Sequence, residues 1–317
     1  MNTEQYLIEK YLLPLAGNRE SLFLKNDAAF FKQKDLVIST DMMLEGKHFT
    51  KNSDPRMLAK KLLRINLSDI AAMGASPFGF FLNIAIPKTK INRWFEEFVF
   101  GLKSDMKKYN LKLFGGDMSS SSQVFLSVTI LGKTQRICHS TNYTNNNSDI
   151  YVTGSIGDAG LGLKLSDKLS FFSCSRNNKH KLIKKLLLPE PRLNIGKNLL
   201  NKVEFCTDIS DGLIEELSQI ANRSKKQVNI FLEKIPISSA TQEVLNKNKN
   251  KNKEIWEIIL FGGEDYELLF SIPQNKTLSG KLGKISKIGF FSNGIGVKVF
   301  DSNGKKFSTK KKGFSHF

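Results

Sequence analysis

The segment DPRMLAKKLLRINLSDIAAMGASP, residues 54–77, predicts one helix with a defined start and stop. Asp54 before Pro55 is typical of a helix N-terminus, since Asp caps free backbone N–H groups and Pro fits the first helical position. An apolar face follows at helical spacing, formed by Leu58, Leu62, Ile65 and Ala72. We expect the helix to end just before Gly74. Asp69 falls on the apolar face, and because an unpaired buried carboxylate is costly, we expect it to have a partner.

Outward from this helix, strands and helices alternate in both halves of the chain. Before a polar, Asn-rich segment at 141–148, the sequence predicts a strand at 35–39, a helix at 91–109, a strand ending at Phe114 and a strand at 123–131. After that segment it predicts a strand at 150–153, a helix after Gly160, a helix at 213–221 and a strand at 266–272. We therefore expect an α+β protein of two mixed α/β domains.

Length and composition limit the class of protein. A chain of 317 residues exceeds what one hydrophobic core usually supports, and 40% apolar residues suit a packed globular fold. No apolar run reaches the length of a membrane span, and the first five residues do not resemble a secretory signal. Cys138, Cys174 and Cys206 form no CxxC pair, which argues against structural zinc and favours a reducing compartment. We expect a cytoplasmic protein that does not enter a membrane.

The formal net charge of +18 permits two interpretations. Dense Lys and Arg could neutralise the phosphates of a nucleic acid. Alternatively, the charge reflects a Lys- and Asn-biased composition on solvated surfaces, as the runs at 246–253 and 310–312 indicate. Because aromatic residues are not interleaved with these runs, we favour the second interpretation. A positive field would also attract ATP and anionic substrates.

Aspartates in this basic chain collect at the ends of predicted elements and beside small residues. They are Asp27, Asp41, Asp69, Asp117, Asp208 and Asp211. Such carboxylates supply a hard cation with oxygen ligands and leave room for water and phosphate. An N-cap or an Asx-turn explains any one of them equally well. For Asp41, Asp69 and Asp117 together we favour metal binding, because like charges at close range need cations between them.

Several common nucleotide-binding motifs are absent from the sequence. It contains no G-x-x-x-x-G-K-[ST] loop and no protein-kinase signature set. The glycines at 154, 157 and 160 have the wrong spacing for a dinucleotide loop, and a plain strand-to-helix turn explains them better. The four histidines form no convincing set with a nucleophile and a carboxylate. A bound nucleotide would therefore depend on cations and backbone amides.

Seven short motifs occur in a fixed order along the chain. They are NDAA (26–29), STD (39–41), NLSDIAAMGASP (66–77), GGD (115–117), DISDG (208–212), GGEDYEL (262–268) and GFSHF (313–317). Together they resemble the thiamine-monophosphate kinase family, which shares its fold with aminoimidazole-ribonucleotide synthetase and selenophosphate synthetase. The resemblance implies domains at 1–137 and 149–317. It also implies a homodimer whose N-terminal sheets pair into a barrel, with ATP bound near that interface.

The resemblance also implies a role for individual residues. The implied Mg²⁺ ligands are Asp27, Ser39, Thr40, Asp41, Asp69, Asp117, Asp208 and Asp211. The implied ATP contacts are Phe100, Gly116, Asp117, His139 and Ser210, and the implied substrate contacts are His48, Glu264 and Phe314. The chain departs from the family pattern at two positions. Asn26 replaces the first of two paired aspartates, and His139 stands where the family has an arginine that contacts ATP; the nearest arginine here is Arg136.

The implied reaction converts ATP and thiamine monophosphate to ADP and thiamine diphosphate. The attacking phosphate oxygen is already ionised at neutral pH, so no general base is required. Several Mg²⁺ ions held by the aspartates would screen the two phosphates that meet in line. One alternative is another enzyme of the superfamily. Selenophosphate synthetase would need a reactive Cys or Sec near the N-terminus, whereas the first cysteine here is Cys138. A second alternative is a basic nucleic-acid-binding protein without catalysis.

Overall fold

The computed structural model describes residues 6–135, 137–140, 144, 147–167, 171–276 and 283–307, and it contains two mixed α/β units. The strands of the N-terminal unit are β1 (Ala29–Phe31), β2 (Leu36–Leu44), β3 (Ser76–Ile86), β4 (Lys112–Ser120) and β5 (Phe125–Lys133). Its helices are α1 (Pro55–Ala72) and α2 (Arg93–Tyr109). The sheet order is β1-β2-β5-β3-β4, antiparallel except for the pair β3–β4. β4 is therefore an edge strand.

A second sheet forms the centre of the C-terminal unit. Its strands are β6 (Ser148–Thr153), β7 (Phe205–Asp208), β8 (Gln227–Phe231), β9 (Leu268–Pro273), β10 (Ile285–Ser292) and β11 (Gly296–Phe300), in the order β11-β8-β10-β6-β9-β7. The helices of this unit are α3 (Asp158–Ser166), α4 (Arg176–Leu187), α5 (Leu193–Leu199), α6 (Leu213–Ser224), α7 (Ser239–Lys247) and α8 (Asn252–Phe261). Within the described ranges, no helix is both long and apolar enough to cross a membrane.

Short helical turns connect several of these elements. They lie at Ile8–Leu12, Leu13–Leu15, Leu22–Leu24, Lys32–Lys34, Lys88–Lys90, Leu232–Lys234 and Lys249–Lys251. Each buries little apolar surface of its own, so the two sheets and their helices hold most of the core.

Helix α1 has the start and stop that the sequence predicts. The Asp54 side chain accepts hydrogen bonds from the N–H groups of Arg56 at 2.8 Å and Met57 at 3.3 Å, so it is the N-cap. The chain leaves the helix at Gly74, whose φ of +71° lies in the left-handed region that favours glycine. The helix packs on β2, β5 and α2 on one side and on the C-terminal unit on the other.

The two units meet at the C-terminal end of α1. A shared apolar cluster contains Ala71, Ala72, Leu199, Cys206 and Phe270. Gly196 of α5 lies so close to α1 that a Cβ atom there would come within 1.9 Å of the Ala71 carbonyl oxygen, so only glycine fits. The last turns of α1, which carry Ser68 and Asp69, are therefore fixed between both units.

Two strand boundaries predicted from the sequence are wrong. β2 continues to Leu44, so Asp41 lies within the strand and not after it. β4 continues through Gly115, Gly116 and Asp117 to Ser120, although the sequence predicts that it ends at Phe114. Glycine, Asp and Ser have low strand propensity, but here hydrogen bonding to β3 outweighs that local preference.

Candidate active site

The candidate site begins at the end of α1, where two adjacent polar residues reach into different units. The Ser39 hydroxyl of β2 donates to Asp69 Oδ2 at 2.5 Å. The Ser68 hydroxyl donates to Asp208 Oδ2 at the end of β7. Asp69 therefore has the partner expected for it. These contacts bring a strand of each unit to the same end of one helix.

Asp27 joins this group from the loop before β1. Its backbone carbonyl lies 3.0 Å from the Ser39 hydroxyl, and its Oδ1 accepts from the Thr207 hydroxyl at 2.9 Å. The other oxygen, Oδ2, is buried and has no hydrogen-bond partner within the described residues. A buried carboxylate oxygen without a donor is costly, and it is available to a cation.

The aspartates at this junction raise one another's pKa values. Burial, and next the Asp208 charge, raises the pKa of Asp27 to about 8. Burial, together with Asp208, Glu264 and Asp211, raises the pKa of Asp41 to about 7. Burial raises the pKa of Asp208 to about 6 and raises that of Asp69 well above its usual range. At neutral pH these groups resist full ionisation unless cations are present.

The DISDG loop after β7 brings in a buried glutamate that the sequence interpretation missed. The Ser210 hydroxyl and the Asp211 N–H both donate to Glu216 Oε1, each at 3.4 Å. Glu216 is on the buried face of α6 with Leu213 and Leu217. Burial raises its pKa well above the usual range, and Asp211 and Asp208 raise it further. An acidic residue inside an apolar stripe was the available signal.

The GGEDY turn places Glu264 on the other side of the DISDG loop. Its N–H donates to the Ser210 carbonyl at 2.7 Å, and a Cβ atom at Gly263 would lie 2.4 Å from the same oxygen. Glu264 itself has a φ of +63°, a strained conformation held by this contact. Its carboxylate forms an ion pair with Lys61, a buried residue of α1 that the sequence interpretation also missed.

Four residues implied by the resemblance lie elsewhere in the single chain. Asp117 is on the exposed edge strand β4, where its N–H donates to Asn83 Oδ1 at 3.0 Å. Gly116 precedes it, and a Cβ atom there would lie 1.8 Å from the Leu82 carbonyl oxygen. The exposed Thr40 donates to the Val128 carbonyl at 3.1 Å. Phe100 is exposed on α2, with the Arg56 guanidinium 4.4 Å from its ring centre.

The two departures from the family pattern contact each other. Asn26 Nδ2 donates to the His139 carbonyl at 3.1 Å. The His139 ring is buried, and its Nε2 lies 2.8 Å from the carbonyl oxygen of Gly196. Because a carbonyl only accepts, Nε2 carries the proton. Burial also lowers the pKa of His139. Its ring therefore packs at the junction between the units.

His48 lies just beyond the end of β2. Its Nδ1 accepts a hydrogen bond from the Leu44 N–H at 2.9 Å, which leaves Nε2 as the protonated nitrogen of the neutral ring. Phe314 and Arg136 lie outside the described residues.

The arrangement can hold divalent cations through scattered carboxylates. In the described part of the chain, no three His, Cys, Asp or Glu side chains converge as a complete protein cage. Mg²⁺ is usually bound by one or two carboxylates with waters and phosphate oxygens, so a full cage is not required. The donor set suits that mode, because it offers oxygen ligands from two units and one carboxylate oxygen without a partner.

Two family models match consecutive parts of the chain. The AIR synthase related protein N-terminal domain matches residues 25–134, and the AIR synthase related protein C-terminal domain matches residues 147–303. Together they cover most of the chain and correspond to its two sheets.

Two sequence relatives that match most of the chain carry the same name. The thiamine-monophosphate kinase of Buchnera aphidicola subsp. Acyrthosiphon pisum is 39% identical, over 90% of this chain and 88% of that protein. The thiamine-monophosphate kinase of Aquifex aeolicus is 31% identical, over 94% of each. The solved structure of AaThiL complexed with AMPPCP and TMP has a TM-score of 0.85 at 27% identity, covering 100% of this chain and 99% of that one.

Proposed function

The chain belongs to the thiamine-monophosphate kinase family, and we propose that it transfers the terminal phosphoryl group of ATP to thiamine monophosphate, giving ADP and thiamine diphosphate. The observation that carries this proposal is the group of aspartates at the junction of the two units, of which Asp208 is buried and Asp27, Asp41 and Asp69 are half-buried. Two phosphate-bearing substrates repel each other, and a site that collects cations is suited to bring them together.

We propose that several Mg²⁺ ions bind at this junction. Asp27 offers its Oδ2, and Asp41, Asp69, Asp208, Asp211 and Ser39 would provide further oxygens. We assign Thr40 and Asp117 to the same set of ligands, although in the single chain they are exposed and lie away from the junction. When bound, Mg²⁺ neutralises phosphate charge and supports in-line phosphoryl transfer. The mutually raised pKa values support this assignment, because cations would relieve the repulsion that causes part of the shifts.

The residues of the chain would orient the substrates without abstracting a proton. The acceptor phosphate of thiamine monophosphate is ionised at neutral pH, so no general base is needed. Ser210, held by Glu216, and the exposed Gly116-Asp117 of β4 would contact ATP, with Phe100 beside the base. His139 would contribute by packing, since its Nε2 lies 2.8 Å from the Gly196 carbonyl oxygen.

Substrate recognition would involve His48 and Glu264. The protonated Nε2 of His48 can donate to a phosphate oxygen, because Nδ1 is occupied by the Leu44 N–H. Glu264, fixed by Lys61 and by the strained GGEDY turn, places a carboxylate where a cationic thiazolium could be recognised. Phe314 would stack on that ring.

We also propose a homodimer in which β4 pairs with its counterpart to close a barrel. All nine residues of β4 are exposed in the single chain, among them the large apolar Leu113, Phe114 and Met118. Phe81 of the neighbouring β3 is exposed as well. A long exposed apolar edge strand is a site for pairing with another chain. We take the units as domains at 1–137 and 149–317.

The test is an assay with the purified full chain, ATP, Mg²⁺ and thiamine monophosphate that follows ADP and thiamine diphosphate together. We expect equal amounts of both products, none with EDTA, and a turnover lower by about 100-fold or more with Asp41→Asn. Glu233→Gln, which removes an exposed carboxylate outside the site, serves as the control and should retain turnover. ADP without thiamine diphosphate, or neither product from folded protein, would overturn the substrate assignment.

A further inference from the structure

A cleft lies between the two units, away from the junction that holds Asp27, Asp41, Asp69 and Asp208. Its volume is about 560 Å³. Five cationic side chains line it, namely Arg64 of α1, Lys108 of α2, and Lys181, Lys184 and Lys185 of α4. The anionic residues that line it are Asp158 and Glu190. Cations from both units therefore face one space.

The floor of the cleft is fixed by a buried arginine. Arg64 Nε and Nη2 donate to the two carboxylate oxygens of Asp105 at 2.6 Å and 3.2 Å, which ties α1 to α2. Its Nη1 donates to the Pro189 carbonyl at 3.2 Å, which ties α1 to the segment after α4. The guanidinium is thus held in place across the domain boundary. The buried arginine gives the cleft a defined floor, whereas Lys108, Lys181 and Lys184 are exposed at its rim and Lys185 is half-buried.

The lysines of the cleft are not neutralised within the described ranges. None of the four forms an ion pair there; Lys181 only donates to Asn178 Oδ1 at 3.2 Å. Glu190 is instead 3.6 Å from Arg192, so part of its charge is compensated outside the cleft. Four ammonium groups around one cavity repel one another unless an anion lies between them.

The carboxylate of Asp158 lines the cleft and accepts hydrogen bonds from three hydroxyl groups. Its Oδ1 accepts from Ser238 and Thr241, each at 2.7 Å, and its Oδ2 accepts from Ser155 at 2.8 Å. Ser238 is also the N-cap of the nine-residue helix α7. The first turn of that helix lines the same space through Ser238, Ser239 and Ala240, and the Asp158 carboxylate already offsets part of its positive end.

We propose that this cleft binds a small anion with two or more linked phosphates, bridging α1 and α2 of one unit and α4 and α7 of the other. Four unneutralised lysines match the charge of a diphosphate or triphosphate group better than that of a monophosphate. The site is separate from the aspartate junction, and the inference does not depend on the proposed kinase activity.

The experiment is calorimetric titration of the full chain with inorganic triphosphate in EDTA. Without divalent cations the aspartate junction repels anions, so binding there is suppressed. We expect one bound triphosphate per chain, at least tenfold weaker binding of inorganic phosphate, and at least tenfold loss of triphosphate affinity in Lys184→Ala/Lys185→Ala. The double variant Lys184→Arg/Lys185→Arg should keep the affinity. Lys32→Ala/Lys34→Ala, with the same charge change on an exposed turn outside the cleft, should match the unmodified chain.

Comparison of triphosphate with ATP, also in EDTA, distinguishes an inorganic chain from a nucleotide as the source of the phosphates. Tighter ATP binding that the cleft variant abolishes would identify a nucleotide site. Equal losses in the cleft variant and the Lys32/Lys34 variant would show that binding follows net charge and would overturn the proposal. Absence of triphosphate binding at low salt would overturn it too.

Discussion

Two groups of buried or half-buried carboxylates differ in whether their oxygens accept hydrogen bonds. At the domain junction, Asp27 has a buried oxygen without a donor, and burial together with the Asp208 charge raises its pKa. Around the N-terminus of α3, Asp158 accepts three hydroxyl hydrogen bonds, and Asp265 accepts the N–H groups of Gly157 at 2.7 Å and Ala159 at 3.3 Å. Burial alone therefore does not distinguish a site from a structural cap. A carboxylate oxygen that lacks a hydrogen-bond donor does distinguish the two.

The largest expected effect separates the two groups by activity. Asp41→Asn should lower kcat by about 100-fold or more, by analogy with electrostatic groups worth roughly 3 kcal/mol. The same variant should unfold at a higher temperature than the unmodified chain in EDTA at pH 8, because it removes one repelling charge. Steady-state kinetics and thermal unfolding check both parts. A variant that loses activity and also loses stability in EDTA would mean that Asp41 supports the fold.

The junction should also make the free energy of unfolding of the metal-free protein depend on pH. The folded pKa values of Asp208, Asp41 and Asp27, about 6, 7 and 8, lie above the unfolded value of 3.8. The stability that protonation provides is then present below pH 4 and is lost as pH rises towards 8. For Asp208 alone this is on the order of 3 kcal/mol. Unfolding in urea from pH 4 to 8 measures it.

Added Mg²⁺ is the control for this pH dependence. Bound cations should offset the loss, so the difference in stability between Mg²⁺ and EDTA should grow with pH. If the free energy of unfolding in EDTA stays constant or rises from pH 4 to 8, the carboxylates do not repel one another.

The carboxylates around the N-terminus of α3, whose oxygens are hydrogen-bonded, should affect stability and leave activity unchanged. Asp158→Ala removes the acceptor of three hydroxyls and should lower the free energy of unfolding by about 2 kcal/mol. Its kcat, corrected for the folded fraction, should stay within about twofold, since none of its contacts reaches the junction. Chemical unfolding and kinetics at low temperature provide the measurements. A large loss of kcat in fully folded protein would contradict the contrast between the two groups.

The sequence predicted local features and failed where distant segments decide the outcome. The cap at Asp54 and the stop at Gly74 depend on adjacent residues, and both were confirmed. Strand β4 continues through Gly115-Gly116-Asp117 because it pairs with β3, which local propensity does not report. The buried charges Lys61 and Glu216 were missed for a related reason. Their partners lie in the GGEDY turn and the DISDG loop, and only the fold brings these together.

The smallest expected effect comes from adding one negative charge to the aspartates at the domain junction. Asn26→Asp places a carboxylate next to Asp27 and removes the Nδ2 donor to the His139 carbonyl. We expect the free energy of unfolding to fall by about 1 kcal/mol in EDTA, the usual value of one hydrogen bond. With Mg²⁺ the fall should be smaller, because cations screen the added charge. Asn246→Asp, the same change at an exposed position of α7, should shift the unfolding temperature in neither condition. Equal losses with and without Mg²⁺ would place Asn26 outside the electrostatic field of the junction and make its contact with His139 purely structural.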